Sequence, residues 1–201
     1  EFRRVLFRSN TYRFRQDSTF LYYFGLDVAG LAAIIDVDSG EETIFGTELT
    51  IDDIVWTGPL PTISEMAATV GIHHTKDFGQ LDTVISKAKT TGRQIHFLPP
   101  YRHDNLTRIA TWLEVPVGVT GAMASVRLIK AIIAQRAVKE NCEIEEIQKA
   151  VHITVDMHQA AMKHALPDMK EYEVAARVHQ EALKAGSDLA FATILTVNGE
   201  T

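Results

Sequence analysis

Residues 31–46 read LAAIIDVDSGEETIFG. The apolar run at 31–35 suits a buried strand, DSGEE supplies a turn, and TIFG is the return strand. Downstream, Thr50 followed three residues later by Asp53 is a helix-start pattern, and Gly58-Pro59 stops whatever begins there. Residues 62–70 form a short helical pattern ending at Gly71.

An alternation then sets in. IHHTKDF (72–78) is predicted as a strand and LDTVISKAKTTG (81–92) as a helix stopped by Gly92. RQIHFLPP (93–100) is predicted as a strand closed by two prolines. YRHDNLTRIATWLEV (101–115) is a helix with Leu106, Ile109, Ala110 and Leu113 on one face. Strands alternating with helices argue an α/β domain around a mostly central sheet.

The texture changes at VPVGVTGAMASV (115–126), which is small, turn-prone and suited to a linker. A long helical stretch follows. Ile144, Ile147, Val151, Thr154, His158, Ala161 and Ala165 recur at helical spacing, and Pro167 breaks the pattern. Residues 170–187 form a second amphipathic helix stopped by Gly186, and LAFATILTVNGET (189–201) begins a strand. A strand needs partners for its backbone groups, so the second domain is expected to be unfinished.

Composition sets the outer bounds. The 201 residues are 46% hydrophobic and 23% charged, enough for one large domain or two small ones with a real core. No run approaches the roughly 18 apolar residues of a membrane span. The single cysteine, Cys142, excludes an internal disulfide framework and favours a reducing compartment. A formal net charge of -6 argues against nucleic-acid binding, which needs clustered Lys and Arg.

The leading EFRRVLFRS fits none of this. It lacks the apolar region of a secretory signal and the serine content of a transit peptide. The codons of a widely used sequencing-library adaptor encode Glu1 to Ser9 without a mismatch. Residues 1–9 are therefore read as foreign and set aside from the fold argument.

The chemistry-bearing residues do not assemble into a site by spacing. Asp36, Asp38, Glu41 and Glu42 faintly suggest a calcium loop, but the position that requires a bidentate Glu is Thr47. An acidic turn is the better reading. His152 and Asp156 share a helix face but make half a metal site at most. His158 lies on the apolar stripe, where a lone histidine is usually a core residue. His73, His74, His96 and His103 have no unifying ligand spacing. Cys142 sits among carboxylates that oppose thiolate formation, so it reads as structural or tolerated. Trp56, in DIVWTGPLP, would suit a pocket or an interface if exposed and plain core if buried, and packing alone favours the core.

Longer stretches carry a resemblance. NTYRFRQDSTFLYYFGLD (10–27) and ETIFGTELTIDDIVWTGPLP (42–61) resemble the amino-terminal domain of the aminopeptidase P family. QRAVKENCEIEEIQKAVHITVDMHQAAM (135–162) and KEYEVAARVHQEALKAGSDLAFATILTVNGE (170–200) resemble the helices and first strand that open its pita-bread catalytic domain. FRQDSTF and RAVKENCEIEEIQKA are the specific parts, whereas residues 60–120 are generic.

The fold class implied is α/β. A creatinase/aminopeptidase P amino-terminal-like domain with a central mixed sheet and flanking helices spans 10–120. The truncated start of an α+β pita-bread domain spans 121–201. The resemblance implies the front part of an Xaa-Pro aminopeptidase, hydrolysing the bond before a penultimate proline with two metal ions, usually Mn²⁺. A prolidase or creatinase-type hydrolase, or a metal-free binding or scaffold protein, stays open. The family's metal ligands are expected beyond Thr201, so no catalytic or metal-binding residue is assigned in this chain, and the chain alone is expected to be inactive.

The resemblance also implies a peptide substrate, a homo-oligomer and a cytoplasmic location, with no nucleic-acid or membrane partner. It gives two tentative substrate-binding positions. Trp56 matches a Trp that can reach a neighbouring subunit's active site, and Phe191 stands where relatives often carry a pocket Tyr. Asp168 departs from the family's Pro-Gly-Met turn.

Overall fold

The structure, a computed structural model, describes residues 14–197 and Gly199, together with the backbone of two short strands, β1 (Val5–Leu6) and β2 (Asn10–Thr11). β1 pairs antiparallel with β2; the rest of the stretch read as foreign lies outside the described residues. The chain forms two compact units, 1–128 and 129–201. The segment 121–128 thus lies with the first.

In the first unit, α1 (Ser18–Phe24) starts because the Asp17 carboxylate accepts the amides of Thr19 and Phe20 at 2.9 and 3.0 Å. It stops at Gly25, whose φ of 64° is left-handed. β3 (Ala32–Asp36) and β4 (Glu41–Gly46) pair antiparallel with Ala32 opposite Phe45 and Asp36 opposite Glu41. β5 (His74–Asp77) adds to the other side of β4, parallel, with Thr43 opposite His74. The sheet order is β3-β4-β5, so β4 is central.

β4 is buried from Thr43 to Gly46. Successive side chains point to opposite faces of a sheet. Ile44 enters a cluster with Phe24, Leu26, Ile63, Ala67 and Ile72, while Phe45, equally inaccessible, lies on the opposite face. Both faces of the sheet are therefore covered. Gly46 is a place where size matters. A Cβ there would stand 2.7 Å from Ile63 Cδ1 and 2.8 Å from Leu31 Cδ2.

The connecting helices begin as their local sequence dictates. α2 (Ile51–Thr57) and α3 (Ile63–Thr69) each open with a reciprocal capping box, Thr50 with Asp53 and Thr62 with Glu65. The threonine hydroxyls and amides hold both carboxyls below the usual carboxylate range. α3 packs on β4 and β5, α4 (Gln80–Thr90) on β5, and α5 (His103–Leu113) on α4. On α5 the predicted inner face holds: Ala110 is buried and Leu106, Ile109 and Leu113 are half-buried.

Two expectations fail in this unit. Residues 93–100 form no strand, because no neighbouring strand takes up their backbone groups. The Arg93 amide donates to Ala88 and the Phe97 carbonyl accepts from Ser125, both outside any ladder. The segment read as a linker is instead ordered into α6 (Val117–Thr120) and a 3₁₀ turn (Gly121–Met123). α6 packs on α5, and Thr120, fully buried, donates its hydroxyl to the Pro116 carbonyl at 3.1 Å.

The second unit holds most of α7 (Val126–Ala137), then α8 (Asn141–His164) and α9 (Glu171–Lys184). α8 and α9 pack as a helix hairpin. α9 contributes Val174 and Ala182, both buried. α8 contributes the half-buried Ile153, Met157, Ala160, Ala161 and His164. The turn between them places Asp168 at φ 70°, a left-handed conformation that glycine adopts without strain.

Here too the sequence reading needs correction. The stripe of Ile144, Ile147, Val151, Thr154 and His158 is exposed, because α8 has two apolar faces and α9 occupies the other one. Residues 189–197 form no strand, since the described residues of this unit offer no strand to pair with them. The Val197 amide instead donates to Glu171 Oε1 at 2.9 Å.

Candidate functional site

Trp56 is not core. α2 has no buried residue, and Trp56 is 89% exposed at its last turn. Ile51 and Val55 on the same short capped helix, and Leu60 just after it, are exposed as well. Gly58, at φ 76°, ends that helix and accounts for the abrupt turn after the indole. Phe191 is also exposed, in the segment after α9, and belongs to the second unit.

The acidic turn is a structural clamp. The Arg93 guanidinium grips Asp36 in a two-pronged ion pair, with Nη2 at 2.5 Å from Asp36 Oδ1 and 2.7 Å from Asp38 Oδ2. Asp36 Oδ1 also accepts the Asp38 and Ser39 amides at 3.0 and 3.3 Å. The Arg93 hydrogen bonds hold the Asp36 carboxyl well below the usual carboxylate range. The carboxylates are thus committed to tying the β3–β4 turn to the end of α4, not to a cation.

The histidines are dispersed. His73 and His74 line an open hollow of about 390 Å³ with Glu41, Glu42 and Gly71. His96 Nδ1 lies 2.8 Å from Ser125 Oγ, and His179 Nε2 lies 3.3 Å from Asp188 Oδ1. His103, His152, Asp156 and His158 are exposed, which corrects the core reading of His158. Exposed Cys142 has its thiol 3.9 Å from Glu140. Among the described residues, no three His, Cys, Asp or Glu side chains stand together to hold a metal ion. These residues do not fit a two-metal centre.

A second concave feature was missed in the sequence reading, although the FRQDSTF motif builds it. A cleft of about 60 Å³ is lined by Gln16, Asp17, Tyr101, Arg102, Asn105 and Arg108, among others. Its polar groups mostly serve the fold. Gln16 Nε2 donates to the carbonyls of Leu26 and Val28 at 3.1 and 2.9 Å, and its Oε1 accepts the Asp17 amide at 2.9 Å. Arg102 Nη2 donates to the Arg15 carbonyl at 2.8 Å. Desolvation at the cleft wall, with the Asp17 charge, holds the Tyr101 phenol above its ordinary value. The motif is therefore a brace that joins the start of α1, the loop after it and the start of α5.

Comparison with known proteins places this architecture. The aminopeptidase P N-terminal domain family matches residues 4–96, and metallopeptidase family M24 matches residues 145–201. The first match begins within the nine leading residues. "Probable Xaa-Pro aminopeptidase pepP" of Metarhizium acridum is 26% identical over 185 residues, covering 90% of this chain and 35% of that protein. The human Xaa-Pro dipeptidase is 24% identical over 163 residues, covering 80% of this chain and 32% of its own. The chain spans about a third of the length of these relatives.

Among solved structures, aminopeptidase PepP of Pseudomonas aeruginosa superposes with a TM-score of 0.72 at 22% identity, over 90% of this chain and 42% of that one. Zn-substituted aminopeptidase P of Escherichia coli, in complex with product, superposes at 0.70 and 19% identity, over 89% and 42%. At such identities the likeness speaks for the fold, a mixed α/β domain with a small mixed sheet followed by the start of a pita-bread domain. The two family matches fall in succession along one chain, and with the sequence relatives and the shared fold they support placing it with the aminopeptidase P N-terminal domain and M24 metallopeptidase families.

Proposed function

We propose that this chain is the front part of an Xaa-Pro aminopeptidase, a hydrolase that removes the residue preceding a penultimate proline. The observation that carries the reading is the succession of an aminopeptidase P N-terminal domain and an M24 segment in one chain. In the proposed parent, two metal ions, Mn²⁺ by family habit, are held by residues outside this chain. They supply the activated water and the charge stabilisation of metal-assisted hydrolysis. The substrate is a peptide, the assembly a homo-oligomer and the location cytoplasmic.

Within this chain the roles are binding and shaping. Trp56 lines a substrate entry or a subunit contact in this reading, which its exposure supports. Phe191 offers a ring without the hydroxyl of a pocket tyrosine, so it contributes apolar contact only. A prolidase-type hydrolase is the second reading, favoured by the Xaa-Pro dipeptidases among the relatives.

An assay separates these readings. The 201-residue chain with Mn²⁺ is expected to release no amino acid from an Xaa-Pro-containing tripeptide. The longer product of the same gene is expected to release the first residue. Cleavage of Xaa-Pro dipeptides alone would favour the prolidase reading. No cleavage of either by the longer product would remove the peptidase reading, and release by the short chain would refute its expected inactivity.

A further inference from the structure

The loop between β4 and α3 is closed at its neck by one carboxylate. β4 ends at Gly46 and α3 begins at Ile63. Residues 47–62 lie between them and carry α2 with Trp56. Every residue of α2 is exposed, so no buried side chain of its own fixes it to the sheet. Its place is set by how the two ends of the loop are held.

The ends meet at Ile63. Its side chain is buried in the core cluster and lies against Gly46, where a Cβ would stand 2.7 Å from Ile63 Cδ1. Glu48 then reaches across 15 residues to the same position. Its Oε1 and Oε2 accept the Ile63 amide at 3.0 and 3.3 Å. That amide is the first of α3 and has no acceptor inside its own helix. The capping box of α3 does not serve it either. Glu65 accepts the Thr62 amide at 2.8 Å, and the Thr62 hydroxyl accepts the Glu65 amide at 3.2 Å. The Ile63 amide is left to Glu48, whose negative charge also suits the start of a helix.

The loop beyond the neck is stiff. Thr50 and Asp53 close the start of α2, and the Gly58 amide donates to the Ile54 carbonyl at 2.9 Å at its end. Pro59 and Pro61 fix the backbone of the return limb. A capped helix and a proline-stiffened return move as one piece, so a bond at the neck governs the tip. Compact loops with adjoining ends are built in this way.

We infer that Glu48 is a positioning residue for Trp56: its carboxylate latches the neck of loop 47–62, so that the indole is carried on a preset arm. The latch is internal to the loop and is the same whatever the tip meets. An arm ordered in advance loses less conformational freedom when Trp56 makes a contact. The inference deepens the binding role proposed for Trp56, but its test uses no substrate and so succeeds or fails separately from that role.

NMR relaxation of the backbone amides and of the Trp56 indole N–H in the full 201-residue chain tests it. The amides of Ile51–Thr57 are expected near the rigid-backbone order parameter of about 0.85. Glu48→Ala should lower them, and the indole value with them, to below about 0.6, while the β4 amides stay unchanged. Glu48→Gln keeps one accepting oxygen and should fall between the parent and Glu48→Ala. Values below about 0.6 in the parent would overturn the preset arm. Unchanged values in Glu48→Ala would overturn the latch. An equal loss of order in β4 would make Glu48 a support of the whole unit and overturn the positioning role. Glu48→Gln as mobile as Glu48→Ala would overturn the hydrogen bond as the latch.

Discussion

Replacing Phe45 with alanine is expected to destabilise the first unit by about 3–5 kcal/mol, the range for truncating a buried phenylalanine. The side chain is inaccessible to solvent and sits on β4, the central strand, opposite Ala32 of β3. Ile44 occupies one face of that strand and Phe45 the other, so the loss opens a void on a side that the Ile44 cluster cannot refill. Typical domains have about 5–15 kcal/mol in total, so the variant should stand close to unfolding at room temperature. Urea unfolding followed by tryptophan fluorescence measures the loss. Trp112 is a suitable reporter, because its ring lies 6.3 Å from that of Phe78, just after β5. Val37→Ala, on an 83% exposed residue in the β3–β4 turn, is the control and should stay within about 0.5 kcal/mol. A loss below about 1 kcal/mol for Phe45→Ala would mean that the second face of the sheet is not packed as described.

Gln16→Ala is the second large effect, at about 1–3 kcal/mol, the cost of leaving hydrogen-bonding groups without partners. One amide side chain holds three backbone groups: the carbonyls of Leu26 and Val28 and the amide of Asp17. Leu26 is buried in the core cluster, so the brace fixes the loop that carries it. Gln16→Glu distinguishes a brace from a mere space-filler. A carboxylate keeps the volume and can still accept from Asp17, but it cannot donate to two carbonyls and would face them with like partial charge. Thermal unfolding should therefore show Gln16→Glu at least as damaging as Gln16→Ala. A Gln16→Glu protein as stable as the parent would show that the two donated bonds contribute nothing.

What could be read from the sequence was what the chain decides locally. Thr50 with Asp53 announced a helix start because both halves of the capping box lie within four residues. The turn between β3 and β4 was legible because Asp36 and Ser39 make their bonds inside it. Residues 93–100 and 189–197 were misread for the opposite reason. Each has strand-like composition, but a strand exists only when another supplies its hydrogen bonds, and that partner lies far off in sequence or outside the described residues.

α8 failed in a subtler way. Its periodicity correctly gave a helix, yet two apolar stripes satisfy the same period, and only the position of α9 decides which is covered. Packing alone favoured a buried Trp56 while the resemblance favoured a binding role, and the short α2 leaves it exposed. The linker at 115–126 was read from small residues alone, which are equally what a tight helical turn around buried Thr120 requires. The Gln16 brace was visible as a motif but not as a function, since its partners at Leu26 and Val28 are backbone carbonyls that any residue could supply.

The central claim is that an aminopeptidase P N-terminal domain here leads into a working M24 peptidase, and the source DNA tests it most directly. Reading it across both ends of this frame decides the matter. Past Thr201 it should continue through two Asp, a His and two Glu in the order of a pita-bread metal site. A stop codon directly after Thr201, or a continuation in which those ligands are substituted, would contradict the peptidase account and leave a non-catalytic binding module in its place.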